Sequence, residues 1–203
     1  MNWNTKDLQN WLCQCADRMI ASAPELNELD GQLGDGDLGA TLEKCGKLMQ
    51  DGLSEETDTP ADVFKVCAMA CSRASGSSFG TLMAVAFMTL AKETNGKNAL
   101  ACGDVEPLLG KVLEALMARG KASLGDKTML DSIEAIRLAA ANLTESAALP
   151  KIAVAAASSA QEEYRDKPNR IGRARMFAEK SIGLNDPGMV AVVRIISSGR
   201  DQN

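Results

Sequence analysis

Three carboxylates fall within eight residues in the run Asp30-Gly31-Gln32-Leu33-Gly34-Asp35-Gly36-Asp37, and one glycine separates the last two. Carboxylates this close repel one another unless a positive charge sits between them, and a hard divalent cation held by oxygen ligands is the usual solution. Gly34, Gly36 and Gly39 would let the backbone take positive φ and let a bulky ligand approach the main chain. Asp and Gly are also ordinary turn residues, so the run by itself supports a metal site and a polar turn about equally. A Mg²⁺ ion in such a loop usually brings a phosphate with it, which directs attention to phosphoryl transfer.

Two other chemistries fail on spacing. An EF-hand opening at Asp35 would need Gly at its sixth position and Glu at its twelfth, where this chain has Ala40 and Gly46. The segment Gly34 to Gly39 satisfies G-x-G-x-x-G, but residues 23–29 before it read as a helix end and loop, not as the strand a dinucleotide fingerprint requires. The chain has no histidine, which removes Ser-His-Asp and Cys-His mechanisms and a phosphohistidine on this chain. A general base must then be a carboxylate, Lys, Cys or Tyr, or come from another subunit.

The elements that position these residues read as helices almost throughout. Leu8, Leu12, Cys15 and Met19 mark one face of a helix opening near Thr5, and Leu38, Leu42, Cys45 and Met49 repeat the pattern directly after the acidic run. Further helices are predicted from Pro60, over 81–90 (apolar on nearly every side, hence buried), through Leu109 to Leu116, from Leu130 to about Ala141, from Pro150 to Tyr164, and from Pro187. No alternating β pattern, repeat or linker interrupts them. The expectation is an all-α fold, about eight helices around one core, forming a single domain over residues 1–203.

Composition agrees: 45% of residues are hydrophobic but only 3% aromatic, a palette rich in Leu and Ala that favours helices. A net charge of −5 argues against nucleic-acid binding. No apolar run reaches the roughly 18 residues of a membrane span, and the polar N-terminus lacks a signal-peptide pattern, so a cytoplasmic location is expected. Cys67 and Cys71, one helical turn apart, read as buried small hydrophobes in preference to a metal pair.

Three more loops carry ligand-type residues. Ala74-Ser75-Gly76-Ser77-Ser78 precedes the 81–90 helix and could seat an anion at its N-terminus. Gly120-Lys121 through Gly125-Asp126-Lys127-Thr128-Met129 lacks Walker A spacing. Arg173-Ala174-Arg175, followed by Lys180-Ser181-Ile182-Gly183 and Asp186-Pro187-Gly188, places basic side chains where a phosphate could lie.

These four motifs, in this order, resemble the nucleotide-binding L subunit of dihydroxyacetone kinases, and the resemblance covers essentially the whole chain. It implies a barrel of about eight antiparallel helices with the nucleotide in loops at one end. It also implies that Asp30, Asp35 and Asp37 bind a pair of Mg²⁺ ions bridging the phosphates of ATP or of a tightly held ADP. Leu38, Gly39, Ala40 and Thr41 would meet the phosphates at a helix N-terminus, with Ala74 and Ser75 adding a contact. Gly120 and Met129 would line the adenine or ribose pocket. Asp186 and Gly188 would close the site, and Lys180 would stand near a basic family residue. The sugar would sit on a histidine of a separate K-type subunit, so this chain would be active only with that partner. The phosphoryl donor would be ATP or a phosphotransferase-system protein, and a homodimer is left open. Leu38 and Leu184 stand where the family usually has His, and Lys180 where it commonly has Arg, which leaves the metal cage intact but alters the phosphate contacts. Those departures motivate the alternative of a nucleotide-sensing module that docks on a regulator or partner kinase.

Overall fold

A computed structural model of the chain describes residues 2–74 and 76–197. Among these the regular structure is nine α-helices, three short 3₁₀ turns and one pair of three-residue strands, an all-α fold. The strands β1 (Asn2–Asn4) and β2 (Ala99–Ala101) pair antiparallel, with Trp3 opposite Leu100. Each is too short to show the alternation from which a strand is read.

The helices are α1 (Thr5–Ala21), α2 (Ala23–Leu33), α3 (Leu38–Leu53), α4 (Pro60–Ala74), α5 (Ser78–Glu93), α6 (Cys102–Gly120), α7 (Met129–Ala140), α8 (Leu149–Arg165) and α9 (Pro187–Ile196). Eight of them close a ring. α1 packs on α3, α3 on α4, and so on through α8 to α9, which returns to α1. The ninth, α2, leans on α3 and α9.

α2 corrects the expected helix end and loop over 23–29. It is an 11-residue helix with Pro24 in its first turn, where the missing N–H costs nothing. Ala23, Leu26 and Leu33 are buried on it and Leu29 packs partly buried against the core, a helical step of three, three and four confined to one short face. α5 corrects a second expectation. Although apolar nearly all round, it is buried only at Gly80, Met83 and Ala91, and Met88 is 52% exposed. It lies between two packed clusters, one built on Leu12, Met19, Leu42 and Val63, the other on Val112, Leu116, Leu130 and Ala157, and its Phe79 and Leu90 touch both. Cys45, Cys67 and Cys71 are buried in the first cluster as free thiols. Burial pushes the Cys67 thiol far up, so it packs as a hydrophobe, as the sequence suggests.

Candidate functional site: an acidic triad among four helix N-termini

Leu38, Ser78, Met129 and Pro187 are the first residues of α3, α5, α7 and α9, and all four line one cavity of about 1010 Å³. The C-terminal residues Arg119 and Gly120 of α6 also reach it. Alternate helices of the ring therefore run the same way and their neighbours run opposite. Four N-termini direct the partial positive charge of their unsatisfied N–H groups at this end, an environment that favours anions. Three of these helices are capped by the residue just before them. Ser77 Oγ accepts from the Gly80 N–H at 3.3 Å, Thr128 Oγ1 from Leu130 at 3.1 Å, and Asp186 Oδ1 from Met189 at 2.9 Å.

The acidic triad forms one wall. Asp30 lies in the last turn of α2, while Asp35 and Asp37 lie in the turn between α2 and α3. One carboxylate oxygen from each falls within 4.8 Å of the others, and among the described residues no other group of three or more Cys, Asp or Glu is so gathered. This is an all-oxygen donor set that fits a hard cation such as Mg²⁺. Asp30 also fixes the turn, its Oδ2 accepting from the N–H groups of Asp37 at 3.0 Å and Leu38 at 3.3 Å. Asn27 Oδ1 accepts from the Ala40 N–H at 3.0 Å. Side chains of α2 thus already engage two first-turn donors of α3, those of Leu38 and Ala40.

The glycines also serve differently than expected. Of Gly34, Gly36 and Gly39, only Gly36 takes a positive φ, at 75°. Gly39 is needed for close approach, since a Cβ there would fall 1.9 Å from the Ala23 carbonyl oxygen.

The opposite side is basic. Arg119, Arg173 and Arg175 line the cavity, the last two on a 3₁₀ turn over Arg173–Phe177. The Arg173 guanidinium pairs with Asp35 across the opening. Residues 166–182 form a strap over this side, and its base is clamped. The Gly183 N–H donates to the Arg165 carbonyl at 2.9 Å, and Arg165 Nε to the Gly183 carbonyl at 3.0 Å. Beneath the clamp lies Lys127, with no exposed surface, donating to the carbonyls of Arg165, Lys167 and Ser181 at 2.8–2.9 Å. Burial lowers its pKa. Asn169, also buried, donates to the Lys127 carbonyl at 2.9 Å and to Asp186 Oδ2 at 2.8 Å. Burial raises Asp186 to about 6, against the pull of its N–H donors and of Lys127.

Of the residues the sequence singles out, the cavity gathers Asp30, Asp35, Asp37, Leu38, Gly120, Met129, Asp186 and Gly188. Gly39, Ala40 and Thr41 continue α3 away from the cavity lining, and Ala74 is buried in the first core cluster. Ser75 lies outside the described residues. Lys180 does not line the cavity; it is exposed, with its ammonium 5.9 Å from the Phe177 ring centre. The lining also includes Arg119 and Phe79, and Thr128 from within the Gly125 to Met129 motif, none of which the sequence assigns a site role.

The class so defined is an all-α domain that assembles a cation-ready triad and four helix N-termini at one end of a helical ring. A family model, the DAK2 domain, matches residues 32–200, and the chain belongs to that family. It is 28% identical over 199 residues to the PEP-dependent dihydroxyacetone kinase, ADP-binding subunit DhaL, of Escherichia coli (strain K12), covering 95% of this chain and 94% of that one. It is 31% identical over 182 residues to the PTS-dependent dihydroxyacetone kinase, ADP-binding subunit DhaL, of Lactococcus lactis, covering 88% and 87%. Its fold matches the crystal structure of the dihydroxyacetone kinase from C. freundii in complex with AMP-PNP and Mg²⁺ with a TM-score of 0.74 at 22% identity. That match covers 97% of this chain but 34% of the C. freundii chain, so this chain spans about a third of that kinase's length.

Proposed function

We propose that this chain is the nucleotide-binding subunit of a kinase for dihydroxyacetone or a similar small ketose, working with a separate K-type subunit that holds the sugar. The observation that carries the reading is the meeting of Asp30, Asp35 and Asp37 with the N-termini of α3, α5, α7 and α9 on one cavity. One wall suits a divalent cation and the remainder suits phosphate, which together describe a metal-bound nucleotide. Mg²⁺ held by the three aspartates, two ions in the fullest form of the reading, would neutralise phosphate oxygens. The chain's own part is positioning, and phosphoryl transfer is mostly positioning and charge neutralisation. Gly120 and Met129 border the nucleoside, Asp186 fixes the start of α9, and the strap covers the phosphate side. The acceptor hydroxyl comes from the partner, since no histidine is present here to hold a sugar covalently.

Two donors fit this site: ATP exchanging freely, or a retained ADP rephosphorylated by a phosphotransferase-system protein. The test is reconstitution with a K-type subunit charged with dihydroxyacetone, supplied either with ATP or with ADP and a phosphotransferase donor chain. Formation of the sugar phosphate only when both subunits are present, and its loss in Asp35→Asn, is the expected result. Tight Mg-ADP binding without turnover under either regime would replace this reading with the nucleotide-sensing module.

A further inference from the structure

We propose that Arg175, and not Lys180, is the strap's cation for the nucleotide's phosphate chain; the assignment rests on the nucleotide reading above. Six consecutive residues, Ile171 to Met176, line the cavity, whereas Lys180 is absent from its lining. The strap cannot easily roll to exchange the two. Its base is held by the paired Arg165–Gly183 bonds and by the three carbonyls on Lys127. Gly172, at φ 69°, turns the chain into the 3₁₀ segment that carries Arg173 and Arg175.

Within that segment the two arginines differ. Arg173 pairs with Asp35, one of the carboxylates assigned to the cation, while Arg175 forms no ion pair among the described residues. The Arg175 and Lys180 side chains are both exposed, but Lys180, beyond the segment, lies near the Phe177 ring and off the cavity lining. An arginine fork meets a phosphate with two parallel N–H donors, which a lysine ammonium cannot do. A side chain of this type, at the cavity and without a carboxylate to neutralise it, is suited to a phosphate facing the acidic wall.

The experiment measures Mg-ADP affinity by titration calorimetry, and adenosine by displacement of a fluorescent ADP analogue. The proteins are wild type, Arg175→Gln, Arg175→Lys and Lys180→Gln, each confirmed folded by circular dichroism. Arg175→Gln is expected to weaken Mg-ADP by about tenfold or more while adenosine changes by less than about twofold. Arg175→Lys should fall between, and Lys180→Gln should stay within about threefold of wild type. A larger loss from Lys180→Gln, or an Arg175→Gln protein that binds Mg-ADP like wild type, overturns the assignment and leaves the nucleotide reading standing. A wild type that binds no nucleotide removes both.

Discussion

Asp186 joins the cavity to the buried polar node, capping α9 through Met189 while accepting from Asn169. Its folded pKa of about 6 lies above the unfolded carboxylate value, so the native state holds this proton more tightly than the unfolded chain does. The sign follows: this group's contribution is most favourable below the unfolded value and is lost as pH rises through the folded one. Relative to Asp186→Asn, wild type should lose on the order of 2–3 kcal/mol of stability between pH 4 and pH 7, measured by urea denaturation of both proteins. A difference that stays flat with pH would contradict the burial account. At this scale the sequence was uneven in what it disclosed. The aspartates of the triad are legible because their crowding along the chain is itself anomalous. Lys127 and Asn169 are not, because their partners are mainly backbone carbonyls and residues 12 to 54 positions away. No local pattern marks a lysine that is to be buried.

The strap is the element whose order depends most on a single side chain. Replacing Lys127 with Met leaves the carbonyls of Arg165, Lys167 and Ser181 without their donor. The expected cost is on the order of 3 kcal/mol, since each buried unsatisfied carbonyl is worth roughly 1–3 kcal/mol and loss of the ammonium's own burial offsets part. Hydrogen exchange should rise across residues 166–182 more than in α1 or α3. Uniform acceleration through the ring would mean that the clamp does not act locally. The ring helices were legible at this scale because each has a dense apolar stripe, as in the Leu38, Leu42, Cys45 and Met49 face of α3. α2 was missed for the opposite reason. Its apolar face is only four residues long, Ala23, Leu26, Leu29 and Leu33, and part of its hold on α3 is polar, Asp30 to the turn and Asn27 to Ala40. The degree to which α5 is buried depends on the separation of two clusters formed by distant segments, which the 81–90 run does not contain.

In the whole molecule, up-and-down closure of the ring brings loops separated by more than a hundred residues to one end. Asp35 meets Arg173, and Leu38 shares a cavity with Met129 and Pro187. The four motifs could be listed from the sequence, but only ring closure shows that they meet, and it excludes Lys180 from the lining. Among the described residues no helix is long and apolar enough to cross a membrane. Under the proposed function the triad and the N-termini form one site for a metal-bound nucleotide. Titration calorimetry of the purified, nucleotide-free chain with ADP, with and without Mg²⁺, on wild type and Asp35→Asn, tests it most directly. Binding should be tight, require Mg²⁺ and weaken by about a hundredfold or more in Asp35→Asn. Folded protein that binds no ADP, or binds it equally well without Mg²⁺ and without Asp35, would contradict it.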